Sequence, residues 1–351
     1  MSQLPPIGKL DTDSFNRLIF PYLGARTQEV LLGPAHGVDA AVIALDDGPP
    51  GERRVMVVAE DPTFGLPVLL PYLGWGIVHI CASDVAVMGI KPQFLSICLL
   101  LPPETTESTL ASVWHQIHEE CQKLDIAIVG GHTGVYPGIA YPLNGGCTVW
   151  GFGKESELTP SSKARPGDIL VVTKGPAVEA TAILALQAEN LLSQTLGKEP
   201  ITKAKDMFYQ MTVVPDALYC RQFARAMHDA TEGGLLGGIY EMANASGIGV
   251  TVYEDKIPIS ELVAKVCGFF GIDPLIAISE GTLVCAVPPA NVEKLMNGAG
   301  TAGIPAYVLG EFTVQERIFI RSDGTKIPLL PVKEDPFWQA YFQAITNQSN
   351  G

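Results

Sequence analysis

The stretch His228-Asp229-Ala230-Thr231-Glu232-Gly233-Gly234-Leu235-Leu236-Gly237-Gly238 places two carboxylates and a hydroxyl directly before a run of glycines. It lies at what we interpret as a strand-to-helix junction. Glycines there let the backbone approach a ligand closely, and the N–H groups of the first helical turn attract anions. Because carboxylates beside an anion site need a cation between them, the stretch indicates a phosphate–metal site.

The overall composition limits the classes of partner. A chain of 351 residues is long enough for two domains at about 150 residues each. Its hydrophobic content of 47% supports a substantial core. With 23 Lys and Arg against 37 Asp and Glu, the formal net charge is -14, which argues against a nucleic-acid partner. We therefore expect any phosphate to be held by glycine loops and bridging Mg²⁺.

The sequence has no pattern that predicts export or membrane insertion. The N-terminus shows no basic segment followed by an apolar one, and no window reaches about 18 unbroken apolar residues. Its seven cysteines are scattered, with no C-x-x-C pair. This usage is typical of reduced, buried thiols. We expect a cytoplasmic protein with no membrane partner.

Alternating strand-like and helix-like runs predict a mixed α/β (α+β) fold in two halves. We place the domains at 1–155 and 156–335, with a polar, frayed tail at 336–351. Four predictions bear on the site. They are a strand at 55–59 stopped by Glu60-Asp61-Pro62, a helix at 74–88, a helix at 104–124 with Glu119 and Glu120 facing solvent, and a strand at 126–129 running into Gly130-Gly131-His132.

Three acidic residues of the first half are candidate ligands for Mg²⁺. Asp39 precedes an apolar strand, and Asp61 follows one. Asp84 lies on the core stripe of its predicted helix, where a carboxylate is costly unless it is paired or bound to a metal. Each also has a purely structural interpretation. Asp39 would cap a turn, Asp61 would form an Asx turn, and Asp84 would accept backbone hydrogen bonds. Oxygen ligands without His or Cys clusters favour Mg²⁺ or Mn²⁺ over Zn²⁺.

Glycine-rich segments are the candidates for phosphate binding. In Gly130-Gly131-His132-Thr133 the glycines would admit a phosphate or a ring, with His132 as donor or acid/base. A simple turn with a satisfied histidine explains the same pattern. Thr231, Gly233 and Gly234 form a second such segment. Neither a P-loop nor a Rossmann fingerprint occurs in the sequence.

Six motifs occur in an order that resembles a known family. They are GVDAAVI from Gly37, SDVAVMG from Ser83, VGGHT from Val129, PGDILVVTKG from Pro166, the opening motif from His228, and SEGTLV from Ser279. This order resembles the AIR synthase (PurM-like) superfamily, and within it the HypE-like branch of AIR synthase related proteins.

The resemblance implies a PurM-like two-domain fold whose N-terminal domain pairs with a second copy in a β-barrel. It implies ATP and Mg²⁺ as cofactors. Asp39, Asp61 and Asp84 match the family's acidic motifs and would hold the metal. The glycines and threonines named above would line the nucleotide site, and Lys9 would fold over the triphosphate.

Departures from the family pattern affect the same motifs. Val38 stands where a second Asp is usual, Ser83 where Asn is usual, and His132 where Asp is usual. HypE proteins end in a cysteine that carries the group being dehydrated, whereas this chain ends in Asn-Gly. We therefore expect that it does not carry out that reaction on itself.

We predict an ATP- and Mg²⁺-dependent enzyme that phosphorylates an amide, carboxylate or hydroxyl on a small or protein-borne acceptor. His132 or Asp229 would accept the proton. The alternative is a non-catalytic, nucleotide-binding dimeric scaffold or maturation-complex partner. A purine-biosynthetic cyclase fits the motifs less well.

Overall fold

The computed structural model describes residue 10, residues 12–63 and residues 65–349, with side chains described as far as residue 346. The first half contains α1 (Thr12–Leu18), β1 (Val30–Leu32), β2 (Ala41–Ala44), β3 (Arg54–Pro62), α2 (Leu73–Val87), β4 (Phe94–Leu101), α3 (Glu107–Leu124), β5 (Ala127–Val135) and β6 (Asn144–Lys154). Its six strands form one sheet in the order β1-β2-β3-β6-β4-β5.

The second half contains β7 (Ile169–Thr173), α4 (Val178–Gln187), α5 (Glu189–Leu196), α6 (Lys198–Asp206), α7 (Val214–Cys220), β8 (Ala226–Ala230), α8 (Gly234–Ala245), β9 (Gly249–Tyr253), α9 (Glu261–Phe270), β10 (Thr282–Val287), α10 (Pro289–Thr301), β11 (Ala306–Thr313), β12 (Arg317–Ile320), β13 (Lys326–Pro328) and α11 (Pro336–Ser349). Its seven strands form a second sheet in the order β13-β12-β9-β11-β7-β10-β8. The mixed α/β architecture in two halves that the sequence predicts is confirmed.

Helix α2 is the central element of the molecule. It packs on β3 and β6 of the first sheet, and also on α3, α7 and β8. Nearly all of its side chains are buried, because apolar residues occur around the whole helix. Since β8 is the edge strand of the second sheet, α2 is the surface on which the two halves meet.

By length and composition alone, one helical segment among the described residues, Pro67–Val87, is apolar enough to cross a membrane. Of the most apolar 18-residue window in this segment, 61% is buried inside the protein. The segment includes α2 and carries Asp84. Its packing is that of a core helix.

The first sheet has one face under α2 and one that is only partly covered. Alternate residues of β4 are buried, and the others, beginning with Phe94, are partly exposed. The Phe94 ring stacks on Trp150 of β6 on that second face, with ring centroids 5.9 Å apart. The edge strand β5 is largely exposed along its length.

Several expected element limits were wrong. Strand β3 continues through Asp61 to Pro62, because these residues still pair with β6. Gly130 to Thr133 lie inside β5 and not in a loop after it. Glu120 is buried and not solvent-facing, because it contacts His79. The polar tail is helical, since buried apolar residues of α11 pack against α4.

All seven cysteines are free, as expected from their spacing. The sequence predicts strands at 94–101, 169–173, 249–253 and 282–287, and β4, β7, β9 and β10 have these limits. It also predicts a closing hairpin that turns at 322–325, and β12 and β13 form it. The sequence predicts a helix at 235–245, and α8 begins one residue earlier, at Gly234. The site therefore lies on elements that the apolar pattern had located.

Candidate functional site

The opening motif forms the junction between β8 and α8. Gly233 and Gly234 both have positive φ, at 84° and 62°, which favours glycine. The N–H of Gly234 donates to the carbonyl oxygen of Thr231 over 3.0 Å. A Cβ on Gly234 would lie 2.6 Å from the carbonyl oxygen of Ala277. The glycine pair is therefore required by the turn and by close packing.

A short linker holds β8 beside the end of α2. The N–H of Met227 donates to the carbonyl oxygen of Thr159 over 2.8 Å. Thr159 in turn donates through its N–H to Met88 O, over 3.0 Å, and through Oγ1 to Val87 O, over 2.8 Å. Because residue 159 bonds to both elements, it places the carboxylates of β8 next to those near α2.

Asp39, His228 and Asp229 form the closest group of possible metal ligands among the described residues. One ligand atom from each lies within 4.8 Å of the others. Oδ1 of Asp39 lies 2.7 Å from Nδ1 of His228, and these side chains are only 8% and 5% exposed. Nε2 of His228 lies 2.9 Å from Oε2 of Glu241 on α8. The group joins a residue before β2 to two residues of β8.

Asp229 is the most isolated carboxylate of the group. It is 1% exposed, and neither of its oxygens has a hydrogen-bond partner among the described residues. Burial raises the pKa of Asp229 to about 7, with a further contribution from the charge of Asp39. A buried carboxylate without donors is stable only if a proton or a cation compensates it.

Asp84 and Asp61 share the same electrostatic environment. Desolvation raises the pKa of Asp84 well above its usual range, and the charges of Asp61, Asp229 and Asp39 raise it further. Asp61 lies near the end of β3, opposite Cys147 of β6. Asp39, Asp61 and Asp84 thus approach one another from three separate elements of the first half, together with Asp229 from the second.

His228 responds to its neighbours in the opposite direction. Burial alone would lower its pKa, but the carboxylates of Asp39 and Glu241 outweigh that effect and raise the pKa well above its usual range. The imidazole therefore carries a proton at neutral pH in the absence of another cation. We did not single out His228 from the sequence, although it begins the opening motif. No spacing rule linked it to Asp39.

The loop from Ser279 to Thr282 brings Glu280 to the same region. The N–H of Glu280 donates to Oε2 of Glu179 over 3.1 Å. Its charge is among those that raise the pKa of Asp84. Glu179 is buried in the first turn of α4, and burial raises its pKa to about 8. Glu179 is not predicted from the sequence, because one carboxylate in an apolar helix has no motif around it.

Lys174 holds this loop in place. Its Nζ donates to Gly281 O over 2.8 Å and to Thr212 O over 3.0 Å, and it pairs with Oδ2 of Asp216 at 2.9 Å. An ammonium group has three hydrogens, and all three have acceptors here. The lysine therefore has a positioning role in this structure.

Thr212 extends the same network to α2. Its Oγ1 contacts Nδ1 of His79 at 3.0 Å, and the N–H of Val213 donates to Oγ of Ser83 over 3.0 Å. Ser83 precedes Asp84 in the sequence. The network thus connects the loop that carries Glu280 to the helix that carries Asp84.

His132 lies on the far face of the first sheet. Cross-strand pairs join Asp61 to Cys147, Cys147 to Ile97, and Ile97 to Gly131. Residues paired in this way share one face, and the next residue of a strand points to the other. His132 therefore points away from the face of Asp61.

The other residues of that motif lie on the exposed strand. Nε2 of His132 lies 2.7 Å from the hydroxyl oxygen of Tyr136. Gly130, Gly131 and Thr133 are likewise exposed on β5. A Cβ on Gly131 would lie 2.0 Å from the carbonyl oxygen of Ile97, so this glycine permits the strands to pair. Lys9 lies outside the described residues.

The N–H groups expected to bind phosphate at the opening motif have acceptors within the chain. Oδ2 of Asp335 accepts from the N–H of Gly233 over 2.8 Å. Nε1 of Trp338 donates to Oε1 of Glu232 over 3.1 Å. The start of α11 therefore covers the glycine turn, which gives Gly233 and Gly234 a structural role here.

Comparisons with known proteins agree on one family. The models of the AIR synthase related protein N-terminal and C-terminal domains match residues 37–151 and 165–323. A Methanocaldococcus jannaschii protein named for hydrogenase expression and formation is 29% identical over 258 residues, covering 72% of this chain and 74% of that protein. Carbamoyl dehydratase HypE of Azotobacter vinelandii is 26% identical, with 78% and 79% covered. Thiamine-monophosphate kinase of Pyrococcus horikoshii is 27% identical, with 74% and 77% covered.

Solved structures show the same fold. The crystal structure of Escherichia coli HypE, a hydrogenase maturation protein, superposes with a TM-score of 0.70 at 26% identity, covering 80% of this chain and 87% of that one. The structure of HypE in complex with ATP has a TM-score of 0.65 at 21% identity, with 84% and 89% covered. The chain belongs to the AIR synthase related proteins, and its architecture is that of HypE.

Proposed function

We propose that this protein is an ATP- and Mg²⁺-dependent enzyme that transfers a phosphoryl group to an amide, carboxylate or hydroxyl of a small or protein-borne acceptor. One observation carries the proposal. Asp39, Asp61 and Asp84 meet Asp229 at the junction of the two halves, where desolvation raises the pKa of Asp84 and Asp229. Such an accumulation of carboxylates is costly unless a cation is present.

The residues present fit a divalent cation with oxygen ligands. Asp229 and Oδ2 of Asp39 are buried without hydrogen-bond partners among the described residues. Carboxylates on separate, rigid elements suit Mg²⁺, which we assign to Asp39, Asp61 and Asp84. Bound Mg²⁺ would neutralise charge on the phosphate oxygens during transfer.

Asp229 is the better of the two proposed proton acceptors. It is buried within the carboxylate group itself, and one of its oxygens lies within 4.8 Å of a carboxylate oxygen of Asp39. His132 is exposed on β5 and faces away from Asp61. We therefore propose that His132 accepts the proton only if a second copy of the chain completes the site.

The names of the relatives support this class of reaction. One relative is a carbamoyl dehydratase, another is a thiamine-monophosphate kinase, and a HypE structure contains ATP. Kinases transfer phosphate to an oxygen. Phosphate transfer to the amide oxygen of a carbamoyl group activates that oxygen in the same way for dehydration. A role in hydrogenase maturation is one case of this function.

We also propose that the chain acts as a homodimer in the cytoplasm. The exposed edge strand β5 carries Val129 and Val135, which are 53% and 57% exposed. Together with the partly exposed face around Phe94 and Trp150, this surface suits a second copy. Seven free thiols are in keeping with a reducing compartment.

ATP turnover tests the proposal. Formation of ADP is measured with Mg²⁺ and with excess chelator, for the wild type and for Asp84→Asn, across amide, carboxylate and hydroxyl acceptors. Mg²⁺-dependent turnover by the wild type alone supports the enzyme. If ATP binds but no acceptor supports turnover, the scaffold alternative replaces it.

A further inference from the structure

Two buried polar side chains lie beside the helix that carries Asp84 but outside the carboxylate group itself. His79 of α2 is 7% exposed and Thr212 is 8% exposed. We infer that His79 and Thr212 are positioning residues, which fix Asp84 relative to the loop that carries Glu280 and thereby set the affinity of the site for its divalent cation. This inference rests on the proposed function, because it takes Asp84 as a ligand of that cation.

The imidazole of His79 is held from three directions. Its Nδ1 lies 3.0 Å from Oγ1 of Thr212, and its Nε2 lies 3.1 Å from Oε2 of Glu120 on α3. The ring of Trp75, one turn earlier on α2, stacks on the imidazole with centroids 4.1 Å apart and planes 18° apart. A side chain that is locked by packing and hydrogen bonds can in turn fix the position of its partners.

The hydrogen bonds define where the protons of this network lie. Burial lowers the pKa of His79, and the hydrogen bond to Glu120 opposes this effect only in part, so the imidazole is neutral at neutral pH. An ionised carboxylate only accepts, so Nε2 carries the proton and donates to Glu120. Nδ1 is then an acceptor, and the hydroxyl group of Thr212 donates to it. Oγ1 of Thr212 also accepts from the N–H of Val214 over 3.3 Å, which leaves the hydroxyl group a single arrangement.

The segment that contains Thr212 is attached to α2 at a second point. Oγ of Ser83 accepts from the N–H of Val213 over 3.0 Å and donates to the carbonyl oxygen of His79 over 2.8 Å. His79 and Ser83 have the i, i+4 spacing that places both on one face of a helix. Two attachment points one turn apart prevent the segment from sliding along α2. Ser83 is also the residue directly before Asp84.

The same segment contacts the loop that carries Glu280. A Cβ on Gly281 would lie 2.1 Å from the carbonyl oxygen of Gln210, so the two backbones are in direct contact. Nζ of Lys174 donates to the carbonyl oxygens of Gly281 and Thr212, one on each side of that contact. The segment is therefore a spacer between α2 and this loop, with hydrogen bonds to both.

A cation site is sensitive to the length of such a spacer. The charge of Glu280 is among those that raise the pKa of Asp84, so the two carboxylates act on each other across the segment. Mg²⁺ requires nearly octahedral geometry with ligands at about 2.0 to 2.1 Å. Groups that hold a ligand in place commonly change metal affinity by about 10- to 100-fold. The competing interpretation is that the network only stabilises the contact between the two halves.

Paired substitutions at residue 212 separate these interpretations. Thr212→Val keeps the shape of the side chain and removes the hydroxyl group, whereas Thr212→Ser keeps the hydroxyl group. His79→Leu removes the acceptor of that hydroxyl group. Tyr219→Phe is the control, because it removes one hydrogen bond, to the carbonyl oxygen of Leu295, within the second half. Each full-length protein is treated with chelator and titrated with Mn²⁺, which takes the same oxygen ligands as Mg²⁺, and free Mn²⁺ is followed by electron paramagnetic resonance.

We expect Thr212→Val to weaken Mn²⁺ binding by about 10- to 100-fold and Thr212→Ser to bind like the wild type. The double variant His79→Leu, Thr212→Val should bind no more weakly than His79→Leu alone, because the hydroxyl group acts through the imidazole. Tyr219→Phe should bind Mn²⁺ like the wild type. Urea denaturation of each variant in chelator shows that it is folded and gives its loss of stability for comparison with Tyr219→Phe.

Equal Mn²⁺ affinities of Thr212→Val and Thr212→Ser overturn the inference, as does an equal weakening by Tyr219→Phe. Mg²⁺-dependent formation of ADP by the wild type is measured in parallel. If ADP forms but Mn²⁺ affinity does not depend on residue 212, this inference fails and the proposed function stands. If Mn²⁺ affinity depends on residue 212 but no ADP forms, the proposed function fails and the positioning role stands. A wild type that binds no Mn²⁺ overturns both.

Discussion

Nδ1 of His228 lies 2.7 Å from Oδ1 of Asp39, so two buried side chains join an edge strand of the second sheet to the segment just before β2 of the first. Asp229, the next residue of β8, extends the contact into a shared carboxylate group. The two halves therefore meet where charge is most concentrated. This arrangement has measurable consequences for stability and for activity.

Replacing Asp84 by Asn should separate stability from activity. The amide removes the repulsion from Asp61, Asp229 and Asp39 that raises the pKa of Asp84. In the absence of divalent cations we expect the free energy of unfolding to rise by about 1 to 3 kcal/mol. Urea denaturation in chelator measures this change, and Mg²⁺-dependent ATP turnover should be lost.

Asp255→Asn, on the exposed surface, is the matched control. A less stable Asp84→Asn protein would contradict this account.

The protonation of Glu179 should make stability depend on pH. Burial raises its pKa from 4.5 to about 8, so the folded state keeps a proton that the unfolded state loses above pH 4.5. The stabilisation from that proton is complete below pH 4.5 and is lost as the pH rises through 8. The loss is on the order of 4 kcal/mol by pH 8.

Denaturation curves for the wild type and Glu179→Gln between pH 5 and pH 8.5 measure this effect. The glutamine keeps an acceptor for the N–H of Glu280 and cannot ionise. We expect the wild type to lose stability relative to the variant as the pH rises. Parallel curves would show that Glu179 ionises normally.

Lys174 should be needed for folding through the charge of Asp216. Lys174→Met leaves that carboxylate buried and unpaired, which costs about 3 to 5 kcal/mol. The double variant Lys174→Met, Asp216→Leu removes the unpaired charge and should recover part of the loss. Lys203→Met, which disrupts an exposed pair with Glu199, should change little. Equal effects of the two lysine changes in chemical denaturation would exclude the positioning role.

The exposed strand β5 should mediate dimer formation. Val135→Lys places a charge on the surface that we assign to the second copy, and Lys on an edge strand opposes pairing. Sedimentation velocity should show two chains for the wild type and one for the variant. Val314→Lys is the control, since Val314 is 70% exposed on the second half. A monomeric wild type would contradict the dimer.

The fold was largely predictable because its strands and central helix have clear apolar patterns. β4 is an apolar run interrupted only by Ser96, α2 is apolar all round, and both end at glycine or proline signals. Helices α5, α6 and α7 were missed, because their patterns are short and mixed. The tail was predicted as frayed from its polar end, whereas Phe337 and Tyr341 provide the buried face of α11.

The site was predictable only in part. Asp84 was recognisable because a carboxylate on a core stripe is costly, and Asp39 and Asp61 were recognisable as carboxylates beside apolar strands. The resemblance then matched all three to acidic motifs of the family. Partners that depend on tertiary packing had no local signal. His228 pairs with Asp39, although the two residues are separated in sequence by more than the first half of the chain. Glu120 is buried only because His79 of α2 faces it. Periodicity reports which face of an element is apolar but not which elements meet.

Calorimetric titration of ATP into the wild-type protein, with Mg²⁺ and with excess chelator, tests the central claim most directly. If Asp39, Asp61 and Asp84 hold the cation that accompanies the nucleotide, ATP should bind measurably only with Mg²⁺, and Asp84→Asn should abolish that binding. Equal affinity in chelator, or unchanged binding by Asp84→Asn, would contradict the claim that this carboxylate group is the nucleotide–metal site.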